Sequence, residues 1–185
     1  MQHLAMILGL ALVALLPSGG GLRAATAEEE ALQRFRFSSI DGGEIGFSDW
    51  AGRPVLVANT ASLCGFTPQL ADLQALWETY GERGLVVLAV PSDSFRQELG
   101  SDREVSEFCT LQYGITLPMT GITPVTGPEA HPFFAWLRES QGFEPRWNFN
   151  KVLIGADGAV LGTWGSGESP TGPAITGAIE AALGS

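Results

Sequence analysis

The sequence predicts an α/β fold, a central mixed β-sheet flanked by helices and preceded by an N-terminal β-hairpin. Three observations carry that reading. "PVLVAN" (Pro54–Asn59) and "LVVLAV" (Leu85–Val90) are almost continuously apolar and rich in β-branched residues, which suits strands buried on both faces. Between them Leu70, Leu73, Leu76, Trp77 and Tyr80 recur at helical spacing. Near the C-terminus "KVLIGADGAVLGTWG" (Lys151–Gly165) reads as a hairpin turning at Ala156-Asp157-Gly158.

The elements follow in order. In "RFRFSSIDGGEIGFSDW" Phe35 and Phe37 alternate, Asp41-Gly42-Gly43 turns, and Ile45 and Phe47 return, so this segment is the N-terminal hairpin. After the first buried strand, Thr67 is placed to cap a helix with Pro68 as its first residue. Gly81 and Gly84 punctuate its end. The unit is strand, loop, helix, strand, for which a right-handed crossover is the rule. A second helix starts at "SDRE", where Ser101 and Glu104 form a capping box. Val105, Phe108, Cys109 and Tyr113 make its apolar stripe. Ile115–Ala130 reads as a long ordered loop with room for a short strand. A third helix covers Pro132–Ser140, and a last one from Pro173 carries Ile175, Ile179 and Leu183. No internal repeat is visible. The order βαβ, helices, ββα is that of a thioredoxin-like layer sandwich.

Bulk properties narrow the function. A chain of 185 residues with 45% hydrophobic content supports one domain with a sizeable core. A net charge of −10 with no basic cluster argues against nucleic acid as a partner. Two cysteines and two histidines, none closely paired, do not make a zinc site. No metal and no cofactor are expected.

"LAMILGLALVALL" (Leu4–Leu16) is thirteen apolar or small residues. A membrane span needs about 20, so a stable span is not expected. The stretch fits the apolar region of a secretory signal with a small-x-small site at Ala25-Thr26-Ala27. Only His3 stands where such a signal carries basic residues. The expected division is a signal at residues 1–27 and a domain at residues 28–185. Cleavage after Ala27 would remove Arg23 and no acid, taking the charge from −10 to −11. The expected location is exported, periplasmic or secreted, where disulfides persist. The alternative is a membrane anchor formed by an uncleaved N-terminus.

Cys64, in "NTASLCGFTPQ", lies at the carboxyl end of a predicted parallel strand and just before a helix. Open α/β sheets place ligands at that edge. The free N–H groups of a helix start favour a thiolate, which is the nucleophilic form. A packing cysteine is the bland alternative, and the location favours the nucleophile. The motif is not C-x-x-C, because position 67 is Thr67; a simple dithiol oxidoreductase is disfavoured.

"NTASLCGFTPQLADLQALWETYGERGLVVLAVPSDSF" resembles the opening of the glutathione peroxidase family, with its N-x-A-S-x-[U/C]-G-x-T context. "WNFNK" (Trp147–Lys151) resembles the family's W-N-F-x-K, and "FRQE" (Phe95–Glu98) its F-G-x-Q-E. The likeness covers about Phe35 to Trp164. It implies that Cys64 is the peroxidatic cysteine and that Gln97, Trp147 and Asn148 complete the site. Amide and indole N–H groups can donate to a thiolate without adding a charge. The chain has only Arg96 between Phe95 and Gln97, one residue fewer than the family pattern, which leaves the direction of the Gln97 side chain open.

The resemblance also implies the second half of the cycle. Peroxide leaves a sulfenic acid on Cys64. Cys109, in "EFC", matches the resolving cysteine of members that form an intramolecular disulfide, which thioredoxin-type proteins reduce. A second family cysteine position is Ser92 here. As a small residue on an apolar stripe, Cys109 also suits simple packing. The expected partners are a hydroperoxide substrate and a thioredoxin-like or glutathione reductant. With no long insertion in Ile115–Arg146 to build an interface, a monomer is expected. The competing readings are a non-catalytic peroxide sensor storing a Cys64–Cys109 disulfide and a thiol–disulfide exchange protein.

Overall fold

The computed structural model describes residues 27–184, so the expected signal segment lies outside it apart from Ala27. The chain runs α1 (Ala27–Gln33), β1 (Arg36–Ser38), β2 (Glu44–Gly46), a 3-10 turn (Phe47–Trp50), β3 (Val55–Thr60), α2 (Gln69–Tyr80) and β4 (Val86–Pro91). It continues through α3 (Asp102–Tyr113), α4 (Pro132–Gln141), β5 (Lys151–Ile154), β6 (Val160–Trp164) and α5 (Pro173–Leu183). The main sheet has the order β4-β3-β5-β6, with β3 and β4 parallel and β5 and β6 antiparallel to their neighbours. This is the thioredoxin-like sandwich expected, with β1 and β2 as the separate N-terminal hairpin. Among the described residues no helix is long and apolar enough to cross a membrane.

Strand alternation divides the interior into two cores. Leu56, Ala58, Val87, Ala89 and Leu153 face the layer of α2, α3 and α5. Val55, Val57, Val86, Leu88, Val90, Val152 and Ile154 face the hairpin and α4. The second core is aromatic: Phe133 lies 5.9 Å from Phe35, 6.1 Å from Phe37 and 4.9 Å from Phe47, ring centre to ring centre. Because β3 and β4 are covered on both faces, their sequences are apolar runs, broken in β3 only at its carboxyl end by Asn59 and Thr60.

Four details depart from the sequence reading. Strands β3 and β4 each start one residue later than the apolar runs suggested. Helix α1 was not anticipated; it holds Leu32 in the aromatic core. The loop after α3 forms no strand of its own; it meets β4 through a bridge from Met119 to Ala89 and the Thr123 N–H on the Pro91 carbonyl, and the hairpin through a bridge from Thr120 to Ser39. Its approach is ordered by the buried Gln74, whose Oε1 accepts from the Thr116 and Leu117 N–H groups and whose Nε2 donates to Thr116 Oγ1. Finally, α2 begins at Gln69, and Thr67 is not its cap. A threonine before a proline at a helix start has another use here, described below.

Candidate active site

Strand β3 ends at Thr60, and residues 61–68 reach α2 through a series of tight turns. The Thr67, Gln69, Leu70 and Ala71 N–H groups each donate to the carbonyl three residues back, at 2.9–3.1 Å. The buried Thr67 hydroxyl ties this segment together: Oγ1 accepts the Cys64 N–H at 3.1 Å and lies 2.8 and 2.7 Å from the Ala61 and Cys64 carbonyls, either of which can take its proton. Cys64 is a free thiol, 8% exposed, and its Sγ accepts the Phe66 N–H at 3.4 Å. A donor does reach the sulfur, from the turn before the helix rather than from the helix itself. Leu63 and Phe66 flank it as exposed apolar side chains.

The segment after β4 docks on this loop. The Leu63 N–H donates to the Gln97 carbonyl at 2.9 Å, and the Ser62 N–H to Glu98 Oε1 at 3.0 Å. Glu98 Oε1 also accepts the Leu99 N–H at 2.8 Å. Burial raises the Glu98 pKa, opposed by its hydrogen bonds to Ser62 and Leu99. The shortened spacing is absorbed at Arg96, which adopts φ 58°, a left-handed conformation that costs a residue with a Cβ about 1–2 kcal/mol. The turn closes with the Arg96 N–H on the Asp93 carbonyl at 2.9 Å. The direction of Gln97 is thereby decided: its Oε1 accepts from Asn148 Nδ2 at 2.9 Å.

The third segment is 147–150. Trp147 is 41% exposed, with its ring 5.4 Å from that of Phe95. Asn148 is fully buried, and its Oδ1 has no hydrogen-bond partner. Asn59, the last buried polar residue but one of β3, grips this segment four ways, one of them its own N–H on the Asn150 carbonyl at 3.2 Å. Its carbonyl accepts the Phe149 N–H at 2.6 Å, its Nδ2 donates to the Trp147 carbonyl at 3.0 Å, and its Oδ1 accepts the Asn150 N–H at 3.0 Å. Phe149, at φ 59°, lets successive side chains serve opposite sides.

The structure therefore joins the Cys64 loop to Gln97, Gln97 to Asn148, and the Phe95 ring to Trp147. Cys109 is buried on α3 and borders the same apolar cluster as Cys64, as a second free thiol. Burial, with Glu98 adding to it, pushes its pKa up to about 12. Ser92 is buried, accepting the Ser94 N–H and donating to Ser94 Oγ. Among the described residues no group of His, Cys, Asp and Glu side chains forms a metal-binding cluster. Sequence reasoning assigned no role to Asn59, Glu98, Asn150 or Ser166. Only Asn59 and Asn150 left a signal, as polar residues at the ends of buried apolar runs.

A family model described as glutathione peroxidase matches residues 32–138. The chain is 39% identical to the hydroperoxy fatty acid reductase gpx1 of Synechocystis sp. over 147 residues, covering 74% of this chain and 87% of that protein. It is 40% identical to the glutathione peroxidase-like peroxiredoxin gpx1 of Schizosaccharomyces pombe, covering 70% and 85%. A crystal structure of Trgpx in apo form superposes with a TM-score of 0.65 at 30% identity, covering 83% of this chain and 95% of the other.

Proposed function

The chain belongs to the glutathione peroxidase family, and on that premise we propose a thiol peroxidase that reduces hydrogen peroxide and organic or lipid hydroperoxides through Cys64. One observation carries the assignment of residues. Gln97 is bonded at once to the Cys64 loop, through its carbonyl, and to Asn148, through its amide oxygen. Three segments far apart in sequence thus converge on one sulfur-bearing turn.

In the proposed cycle the Cys64 thiolate attacks the terminal oxygen of the hydroperoxide. The S–O bond forms, the O–O bond breaks, and the departing oxygen leaves as water or an alcohol after taking a proton. The bond from Asn148 uses Gln97 Oε1 as acceptor, which turns the Gln97 Nε2 donors away from Asn148 and leaves them available to substrate. Asn148 thus fixes which side of the Gln97 amide the substrate meets. Cys109, as its thiolate, then attacks the Cys64 sulfenic acid: an S–S bond forms, the S–O bond breaks, and the hydroxide leaves as water after taking a proton. A dithiol protein of the thioredoxin type returns both thiols.

Steady-state turnover with thioredoxin-type and glutathione reducing systems tests this reading. Faster turnover with the former is expected, and no peroxide consumption with either would sink it. Asn148→Ala is expected to slow oxidation of Cys64 by about 10²–10³-fold, the usual loss for one preorganised polar group. Stopped-flow rates within twofold of wild type would leave Asn148 a packing residue. The proposal extends to a monomer, in keeping with the lack of a long insertion in Ile115–Arg146, and to export, supported by the apolar Leu4–Leu16 stretch and the Ala25-Thr26-Ala27 site. Intact mass of the secreted protein should then begin at Glu28; recovery of the full-length mass would refute cleavage.

A further inference from the structure

Lys151 is the single charged residue with a fully buried side chain among the described residues. It stands at the head of β5, opposite Ala58 on β3 and Trp164 on β6. No ion pair with a carboxylate compensates it among the described residues. Its Nζ instead donates to three main-chain carbonyls of one loop, at 2.5 Å from Glu168, 3.4 Å from Gly165 and 3.5 Å from Ser166. An ammonium taken out of water is costly unless its donors are satisfied, so a lysine here must serve those carbonyls.

The loop it holds leads to the candidate active site. Ser166 Oγ donates to the Asn148 carbonyl at 2.6 Å and accepts from Asn150 Nδ2 at 3.0 Å. The Ser166 carbonyl accepts from Gln69 Nε2 at 2.7 Å, which ties in the first residue of α2. Asn148 Nδ2 in turn holds Gln97 Oε1. Lys151 Nζ is thus linked through Ser166 to the main chain of Asn148, and the Asn148 side chain to that of Gln97.

We propose that Lys151 is a positioning residue of the peroxidase site: its ammonium fixes the 165–168 loop, and the loop, through Ser166, fixes Asn148 and hence Gln97. The inference rests on the peroxidase reading above for its rate measurements. Burial lowers the Lys151 pKa from its ordinary 10.5 to about 8, while the two acidic groups that face it, Glu168 and Asp72, pull the other way. Deprotonation removes the charge and one of three N–H donors, and charge-assisted bonds are the stronger ones. The grip on the loop therefore weakens as pH rises through about 8. Stability moves in the opposite sense. Between the folded and ordinary values the unfolded chain binds more protons at this site, so its contribution to stability rises with pH. A rate lost over that interval is a loss of positioning, not unfolding.

Quenched-flow alkylation should follow the oxidation of Cys64 by hydrogen peroxide from pH 6.5 to 9.5 in wild type, Lys151→Met and Ser166→Ala. Lys151→Met is expected to be about tenfold slower at pH 7, in keeping with the sensitivity of rates to small misplacements. The ratio of wild-type to Lys151→Met rates should fall towards one above about pH 9, because the wild-type grip is lost there. Taking the ratio cancels pH effects common to both proteins. Ser166→Ala breaks the same chain closer to Asn148, so the ratio of wild-type to Ser166→Ala rates should show the same fall, and the double variant should be no slower than the slower single one. Equal rates at pH 7, or a ratio constant across the range, overturn the proposal. Should Lys151→Met not fold, the Ser166→Ala ratio decides, and a flat profile overturns it. Amide exchange in the folded Lys151→Met protein should rise at 165–168 and at 147–150. Unchanged exchange at 147–150 overturns the link even for a protein that consumes no peroxide.

Discussion

Cys64→Ser is expected to abolish peroxide turnover, a loss of about 10⁴-fold or more, as removal of a nucleophile does elsewhere. A serine hydroxyl is almost wholly protonated at neutral pH, and no base is hydrogen-bonded to this position. Among the described residues the Phe66 N–H is the only group bonded to Sγ, and a donor cannot take a proton from serine. The fold should not change, since the loop is tied by the Thr67 hydroxyl to main-chain atoms of Ala61 and Cys64, none of which belongs to the cysteine side chain. Unfolding free energy should stay within about 1 kcal/mol of wild type, the size of an ordinary mild substitution. Peroxide consumption and a thermal melt measured on the same sample separate the two effects. Retained consumption by a normally folded variant would refute the assignment of Cys64.

The architecture was legible because burial on two faces writes itself into composition. Runs such as Val55–Thr60 admit no polar residue until the strand reaches its functional edge, and there Asn59 appears. The glycine and aspartate turns were legible for a similar reason, since few residues tolerate their dihedral angles. Helix α1 was not, because in "AEEEALQ" Leu32 is the one residue described as buried in the core, too little for a helical pattern to show. Thr67 was misassigned because a hydroxyl that caps a helix and one that ties off a preceding turn give the same sequence. Most of the site's supporting shell was invisible on principle. Lys151 bonds carbonyls 14–17 residues later, and main-chain acceptors carry no residue identity. Glu98 likewise receives N–H groups of Ser62 and Leu99, which any residue except proline could supply. Cys64, Gln97, Trp147 and Asn148 could be named from short motifs. Their mutual geometry needed the fold, and the left-handed Arg96 that settles Gln97 could not be foreseen from a shortened spacing.

Cys109→Ser is expected to oxidise at Cys64 as fast as wild type, then stall as the sulfenic acid and lose turnover with a thioredoxin-type donor. In wild type one equivalent of peroxide should remove both thiols without forming a dimer. The folded, reduced protein is not arranged for that second step as it stands. Cys109 is buried, and with its pKa near 12 it remains a thiol at neutral pH. Attack on the Cys64 sulfur needs the thiolate, so α3 must open and return the thiol to a wetter setting. That opening is cheap by the standards of this fold. Of the twelve residues of α3 only Val105 and Cys109 are buried, against five in α2. Its fixed points are the Ser101 cap, whose Oγ accepts the Glu104 N–H at 3.3 Å, and Asp102, whose carboxylate accepts the Ile122 N–H at 2.7 Å. Segments with so few buried contacts are the ones that open locally. Ser101→Ala, which costs a helix about 1 kcal/mol, should therefore speed disulfide formation about fivefold, the factor that energy represents, while leaving the first oxidation untouched. Disulfide formation should also raise amide exchange across 101–113. Intact mass with thiol counting, on samples quenched at intervals after one equivalent of peroxide, gives both rates. A disulfide that forms no faster in Ser101→Ala would show that opening of α3 does not limit the step. Normal turnover of Cys109→Ser with thioredoxin, or a free Cys109 in the oxidised protein, would mean that Cys109 only packs the core and that an external thiol resolves Cys64.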